Sequence, residues 1–225
     1  MKKFERLGEA TAPDGTVLTL FRHDGAYVIR VGDIELMSTR RHLSEDRLAE
    51  LACLPLRDRP DARVLIGGLG LGFTLKAALA ILAADARVVV AEIVAGVIAW
   101  NANPDYALAA DALRDARVEL VHGDVAEVLR AHPGGFDAIM LDVDNGADAL
   151  TTTGNARLYA DTGIRTAIAA LRPGGTIAYW SADRDRAFER ALRRAGLSVE
   201  SVDVHAHGTS GPRHTIVVAQ SRSKD

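Results

Sequence analysis

Three carboxylates stand where an apolar run gives way to a loop. Glu92 closes Arg87-Val88-Val89-Val90-Ala91, Asp124 follows Val118-Glu119-Leu120-Val121-His122-Gly123, and Asp142 closes Asp137-Ala138-Ile139-Met140-Leu141. A further run, Val64-Leu65-Ile66, opens instead into Gly67-Gly68-Leu69-Gly70-Leu71-Gly72, in which Gly68, Gly70 and Gly72 fit G-x-G-x-G. Glycine admits positive φ and lets a ligand approach the backbone with no Cβ in the way. A helix opening near Leu71 aims its unpaired N–H groups at the same point. Glu92 lies twenty residues beyond Gly72, where a carboxylate can accept both hydroxyls of a ribose held over the loop. An acid at the next strand tip, Asp124, can take the exocyclic amine of an adenine. It can also cap a helix over 125–131, and the two roles are compatible. Asp142 at the tip of the next strand can hold an amine or act as a general base, or simply cap its loop. Asp142 and Asp144 together are too few ligands to commit to a divalent metal, so no metal site is assigned.

These residues need a scaffold that brings strand tips to one edge. From residue 62 onward, strand candidates at 62–67, 86–92, 116–121, 136–142 and 174–181 alternate with Ala- and Leu-rich helical stretches at 71–84, 93–101, 124–131 and 156–171. That alternation predicts βαβ units and a parallel sheet. Val88-Val89-Val90-Ala91 and Ala138-Ile139-Met140-Leu141 are apolar on both faces, as a sheet covered on both sides requires. The segment 185–225 reads as a helix ended by Gly196, a strand over 199–204 and a strand over 214–219. The short link at 208–212 makes the last two antiparallel, so one strand of the sheet is reversed.

Ahead of the sheet, three short β segments at 16–22, 26–31 and 34–37, joined by Asp24-Gly25 and Gly32-Asp33, form an antiparallel meander. A helix follows with Ser44 as its N-cap and Glu45 and Asp46 in its first turn. Pro55 and Pro60 bracket a loop that divides the chain into 1–55, meander and helix, and 61–225, the nucleoside-binding domain.

A net charge of −3 argues against a dedicated nucleic-acid binder, and the short clusters Arg40-Arg41 and Arg193-Arg194 read as solvated faces. The single cysteine, Cys53, rules out a disulfide framework and reads as a buried thiol in Leu51-Ala52-Cys53-Leu54. No apolar run is long enough for a membrane span and no secretory signal is seen, so the expected location is the cytoplasm. His205 and His207 share a strand face but lack a third metal ligand in the sequence. His42 precedes the Ser44 helix and can face the cleft. Trp100 reads as packing, Trp180 as core or rim near the substrate side, and Tyr159 as a lid residue over the pocket.

The run Val64–Gly72, Glu92, Gly123-Asp124, Phe136–Asp142, Leu171-Arg172-Pro173-Gly174-Gly175 and the closing Arg213-His214-Thr215 together resemble the spermidine synthase-like branch of the S-adenosylmethionine-dependent transferases. The resemblance covers nearly the whole chain, the meander included. It implies a Rossmann-like class I methyltransferase fold, an α/β domain with a mainly parallel seven-stranded sheet and one antiparallel strand, preceded by the small N-terminal β meander. It further implies that Gly68, Gly70 and Gly72 pass the methionine-like part of the cofactor. Glu92 would bind the ribose, Ile93 lie beside the adenine, and Asp124, with Val125 next to it, meet the adenine amine. Asp142 would handle the attacking nucleophile, and Asp144, Asn145 and Tyr159 would contact the acceptor. The family often dimerises, which allows a homodimer.

Departures from the family pattern bear on the substrate. Gly70 stands where spermidine synthases carry an Asp, Leu48-Ala49 where they carry Tyr-His (although Glu45 and Glu50 fit), and Asn145-Gly146 where they carry Asp-Pro. A diamine needs an anionic site at both ends. From the sequence, methyl transfer from S-adenosylmethionine to a small-molecule acceptor is therefore the leading expectation. Aminopropyl transfer from decarboxylated S-adenosylmethionine is the alternative, and a non-catalytic nucleoside-binding protein is a further one. A nicotinamide-dependent oxidoreductase fits the glycine loop but not the antiparallel final strand pair or Asp124.

Overall fold

The structure, a computed structural model, describes residues 4–142, 156–207 and 210–221. The first sheet is antiparallel, in the order β1 (Glu5–Thr11), β2 (Val17–His23), β3 (Ala26–Val31) and β4 (Ile34–Ser38). β1 is one strand more than the sequence pattern predicts. Its charged residues Glu5, Arg6 and Glu9 mask the period, and its register slips between Arg6 and Gly8. At that slip the Trp100 indole packs against the backbone, its Nε1 only 2.6 Å from where a Cβ on Gly8 would lie. Asp24 and Gly25 both have positive φ, 51° and 76°, as a two-residue hairpin turn requires.

Helix α1 (Leu43–Cys53) begins two residues earlier than expected. Its N-cap is His42, not Ser44, and Ser44 is buried inside the first turn. The Ser44 hydroxyl donates to the Glu45 carboxylate at 2.5 Å. The interior face of α1 carries Leu48, Ala49, Ala52 and Cys53. The Cys53 thiol lies 4.0 Å from the Met140 sulfur and is pushed up to about 12 by burial, which makes it a packing residue.

The second sheet has seven strands: β5 (Arg63–Gly67), β6 (Arg87–Glu92), β7 (Val118–His122), β8 (Phe136–Leu141), β9 (Leu171–Ser181), β10 (Ser198–His207) and β11 (Ser210–Gln220). Their order is β10-β11-β9-β8-β5-β6-β7. β7, β6, β5, β8 and β9 run parallel, and β11 pairs antiparallel with both β9 and β10. The single reversed strand is the one expected from the short final link. The helices are α2 (Phe73–Ile81), α3 (Ala95–Ala102), α4 (Ala110–Leu113), α5 (Val125–Ala131), α6 (Ala156–Tyr159), α7 (Asp161–Ala170) and α8 (Arg186–Arg194).

Alternation along the strands divides the interior in two. Val64, Ile66, Val88, Val90, Ala138 and Met140 face one core, shared with Leu48 of α1 and with Leu18, Leu20 and Ile29 of the first sheet. Leu65, Val89, Ala91, Ile139 and Leu141 face the other, with Ile164 of α7 and Phe188 of α8. At the end of the sheet away from the glycine loop, the buried Asp137 carboxylate accepts from Arg63 N at 2.8 Å and pairs with Arg172 at 2.7 Å and Arg59 at 3.0 Å. That knot ties the starts of β5, β8 and β9 and leaves their other ends to build a site.

Candidate active site

The glycine loop leaves β5 and enters α2 as its sequence requires. Gly72 is the N-cap of α2 with φ 78°, and a Cβ there would stand 2.3 Å from the Ala109 Cβ. Gly70 has φ 52°, and the space above its Cα is taken by the Met37 sulfur of β4, 3.2 Å from the built Cβ position. Asn101 of α3, fully buried, pins the loop by donating to Gly70 O at 2.8 Å and to Val97 O at 2.9 Å.

Glu92 is buried at the tip of β6. One carboxylate oxygen accepts from Leu69 N at 2.9 Å and the other from Val94 N at 2.8 Å. Burial raises its pKa, while the backbone N–H groups of Val94 and Leu69 pull it back. The acid is thus fastened to the glycine loop. Asp124 is the N-cap of α5 and accepts from Ala126 N through Oδ1 at 2.8 Å, so the capping role is real and coexists with a place in the cleft wall. Asp142 sits just past β8. Its N–H donates to Gly67 O at 2.8 Å, and the buried Thr74 hydroxyl donates to its Oδ2 at 2.9 Å.

Gly68, Gly70, Glu92, Ile93, Asp124, Val125 and Asp142 all line one cleft at the carboxyl edge of the parallel strands, where open α/β sheets bind ligands. Gly72 stands behind it, at the start of α2. Tyr159 is not in this wall. Its ring packs on Tyr179 and Phe188, at 5.8 and 5.2 Å, in the core on the other side of the sheet, because α6 is laid down beside α7 there. Asp144 and Asn145 lie outside the described residues. Trp180 does line the cleft, and the His214 ring packs against it at a tilt of 37°, centroids 4.7 Å apart. His42 stacks on Phe73, a cleft residue, at 4.2 Å and 8° between planes, and its Nδ1 meets Asp46 at 2.7 Å.

Glu45, which fits the family pattern in the sequence but is not assigned to the site there, lines the same cleft as Asp142. Its carboxyl is pushed up to about 7, first by burial and then by the Asp142 charge. In the sequence it reads as an acid complementing a helix dipole that also fits the family pattern. The first sheet also contributes unexpectedly: Leu18, Ile29 and Met37 roof the cleft with apolar surface. Among the described residues the lining holds four carboxylates, Glu45, Glu92, Asp124 and Asp142, and no lysine or arginine. No three His, Cys, Asp or Glu side chains gather as a metal site among the described residues.

No family model and no curated protein matches the chain. Solved structures do. Spermidine synthase from Thermotoga maritima aligns over 99% of this chain and 75% of its own, with TM-score 0.77 and 19% identity. The fold is that of the spermidine synthases. A spermidine synthase in complex with the transition-state analogue AdoDATO aligns over the same shares at TM-score 0.75 and 19% identity. A probable spermidine synthase from Corynebacterium glutamicum ATCC 13032 aligns over 100% of this chain and 82% of its own at TM-score 0.65 and 14% identity. The spermidine synthase-like fold includes both sheets, since the alignments span essentially the whole chain.

Proposed function

We propose that the chain is a transferase acting on an adenosyl sulfonium cofactor, and that the group it moves is the aminopropyl group of decarboxylated S-adenosylmethionine, delivered to an amine. The observation that carries this reading is the charge of the cleft: four carboxylates line it without a cation among the described residues. S-adenosylmethionine brings a carboxylate, which would face those acids unpaired. The decarboxylated form brings two cations and no anion, and an amine acceptor adds another. The sequence favours methyl transfer because Gly70, Leu48-Ala49 and Asn145 depart from the diamine pattern. The acid supplied by Glu45 offsets part of that deficit, and the three solved structures compared above are spermidine synthases or a probable one, so the aminopropyl alternative is the better supported.

The residues fit the cofactor. The glycine loop leaves Gly70 without a Cβ below Met37, Glu92 is braced to receive a ribose, and Asp124 keeps an oxygen for the adenine amine. When bound, the cofactor supplies a carbon activated by its sulfonium. The chain does the rest by positioning. Glu92 and Asp124 fix the nucleoside, the roof of Leu18, Ile29 and Met37 excludes water, and Asp142 orients the amine and takes its proton.

The test is turnover. The full chain is incubated with each cofactor and a panel of amine, oxygen and sulfur nucleophiles. Release of 5′-methylthioadenosine with an aminopropylated amine is expected. S-adenosylhomocysteine with a methylated acceptor, and no aminopropylated product, would sink the proposal.

A further inference from the structure

We infer that Trp180 selects the acceptor: its indole is the end wall of the cleft beside Asp142, and the amine that this wall fits is a monoamine with an apolar or aromatic body rather than a linear diamine. This rests on the transferase reading above and names its acceptor class.

Strand register fixes where Trp180 stands. Gly67 pairs with Ala91 of β6 and with Leu141 of β8, and Leu141 pairs with Tyr179 of β9, all in parallel. One residue further along each strand, Trp180, Asp142, Gly68 and Glu92 form a row across the carboxyl edge of the sheet, neighbours about 4.8 Å apart. The ladder continues into that row, since Gly68 N donates to Ala91 O at 2.9 Å and Asp142 N to Gly67 O at 2.8 Å. All four residues line the cleft. On the reading above, Gly68 and Glu92 serve the nucleoside and Asp142 the attacking nitrogen. Trp180 is the next residue beyond Asp142, in the direction away from the ribose.

Alternation along the strands puts the two side chains on one face. Met140 and Ala178 face the core shared with α1, and Leu141 and Tyr179 face the other. Asp142 and Trp180 therefore return to the α1 side. Their contacts agree: the Asp142 carboxylate accepts from Thr74 of α2, and the indole packs on the α1-side core.

The cleft ends at the indole. β11 and β10 lie beyond β9 in the sheet, and among the described residues neither contributes to the lining. The indole is half-buried and held in place, with Ile216 opposite it on β11 and the His214 ring packed against it. Phe73 is the other aromatic ring among the described lining residues. It is already engaged, with His42 stacked on it at 4.2 Å and the Lys76 ammonium 4.3 Å from its centroid. The indole is thus the aromatic surface left for a ligand at this end.

A linear diamine with one nitrogen at Asp142 would carry its second ammonium toward that wall. An indole face attracts a cation but accepts no hydrogen bond of a carboxylate's strength. Glu92 and the β7-side Asp124 lie on the cofactor half of the row. Glu45, the remaining acid of the described lining, is pushed up to about 7, chiefly by burial, so near neutral pH it is only partly charged. An apolar or aromatic body, by contrast, leaves water together with the indole surface that it covers.

The experiment offers the full chain phenethylamine, pentylamine and putrescine in turn, with saturating decarboxylated S-adenosylmethionine. The kcat/KM for phenethylamine should exceed that for putrescine at least about tenfold. Trp180→Ala should raise the KM for phenethylamine about 10- to 100-fold with little change in kcat, and so erase the preference. Trp180→Phe should keep it. Putrescine as the better acceptor, or an unchanged order of preference in Trp180→Ala, would overturn the inference. Binding is read without turnover from tryptophan fluorescence, as the difference between wild type and Trp180→Phe during amine titration in the presence of 5′-methylthioadenosine. Phenethylamine should change that difference signal at lower concentration than putrescine does, and a signal that responds to neither amine would overturn the inference. If no amine is aminopropylated, the transferase reading fails by itself, and the fluorescence titration still decides whether Trp180 meets the amine.

Discussion

Asp142→Asn is expected to lower kcat by about 10²–10⁴-fold while leaving nucleoside affinity within a few-fold of wild type. The substitution keeps the shape of the side chain, its place at the tip of β8 and an oxygen for the Thr74 hydroxyl. What it removes, on the proposed mechanism, is the charge that orients the amine and the oxygen that takes its proton. In the proposed site, nucleoside binding rests on other residues: Glu92 clamped between Leu69 N and Val94 N, Asp124 at the start of α5, and the glycine loop. Steady-state kinetics and calorimetry with 5′-methylthioadenosine separate the two effects. An equal loss in both would mean that Asp142 holds the loop together, through its N–H to Gly67 O, rather than serving the acceptor.

Gly72→Ala is expected to destabilise the fold by about 2–4 kcal/mol and to abolish nucleoside binding. Two penalties add. The backbone at 72 is left-handed, with φ 78°, and the new methyl would stand 2.3 Å from the Ala109 Cβ. That neighbour is a backbone-anchored atom, so relief requires α2 to move, and with it the loop that ends at Gly72. Gly25→Ala is the control. Its φ is a similar 76°, but nothing lies within 4 Å of the built Cβ, so only the strain of about 1 kcal/mol applies and the cleft is untouched. Urea unfolding and nucleoside titration of the two variants should differ accordingly. Equal stabilities would mean that the contact at Ala109 yields easily.

The parts of the site legible in the sequence are those encoded within short stretches. Gly68, Gly70, Gly72 and Glu92 sit on one strand–loop–helix–strand unit, and the spacing alone places the acid beside the loop. Asp124 and Asp142 follow from the same logic, since each ends an apolar strand of a parallel sheet. The topology was readable because the short link between the final strands allows only antiparallel pairing. Glu45, Met37 and Asn101 were not legible. Each reaches the cleft from an element whose docking depends on the tertiary packing of the first sheet and α1 onto the second. Apart from its fit to the family pattern, nothing local distinguishes Glu45 from any acid in a helix's first turn. Tyr159 shows the converse: an aromatic side chain near the right strands lies on the opposite face, a choice made by how α6 and α7 pack. The shift from methyl to aminopropyl transfer has the same origin. A count of acids along the chain undercounts the charge of the cleft, because one acid comes from a helix before the glycine loop.

The most direct test of that charge is a calorimetric comparison of S-adenosylmethionine with its decarboxylated form, at the same pH and ionic strength. A cleft lined by Glu45, Glu92, Asp124 and Asp142 should bind the decarboxylated cofactor at least about tenfold more tightly, with the preference shrinking as salt rises. Equal affinities, or tighter binding of S-adenosylmethionine, would contradict the account.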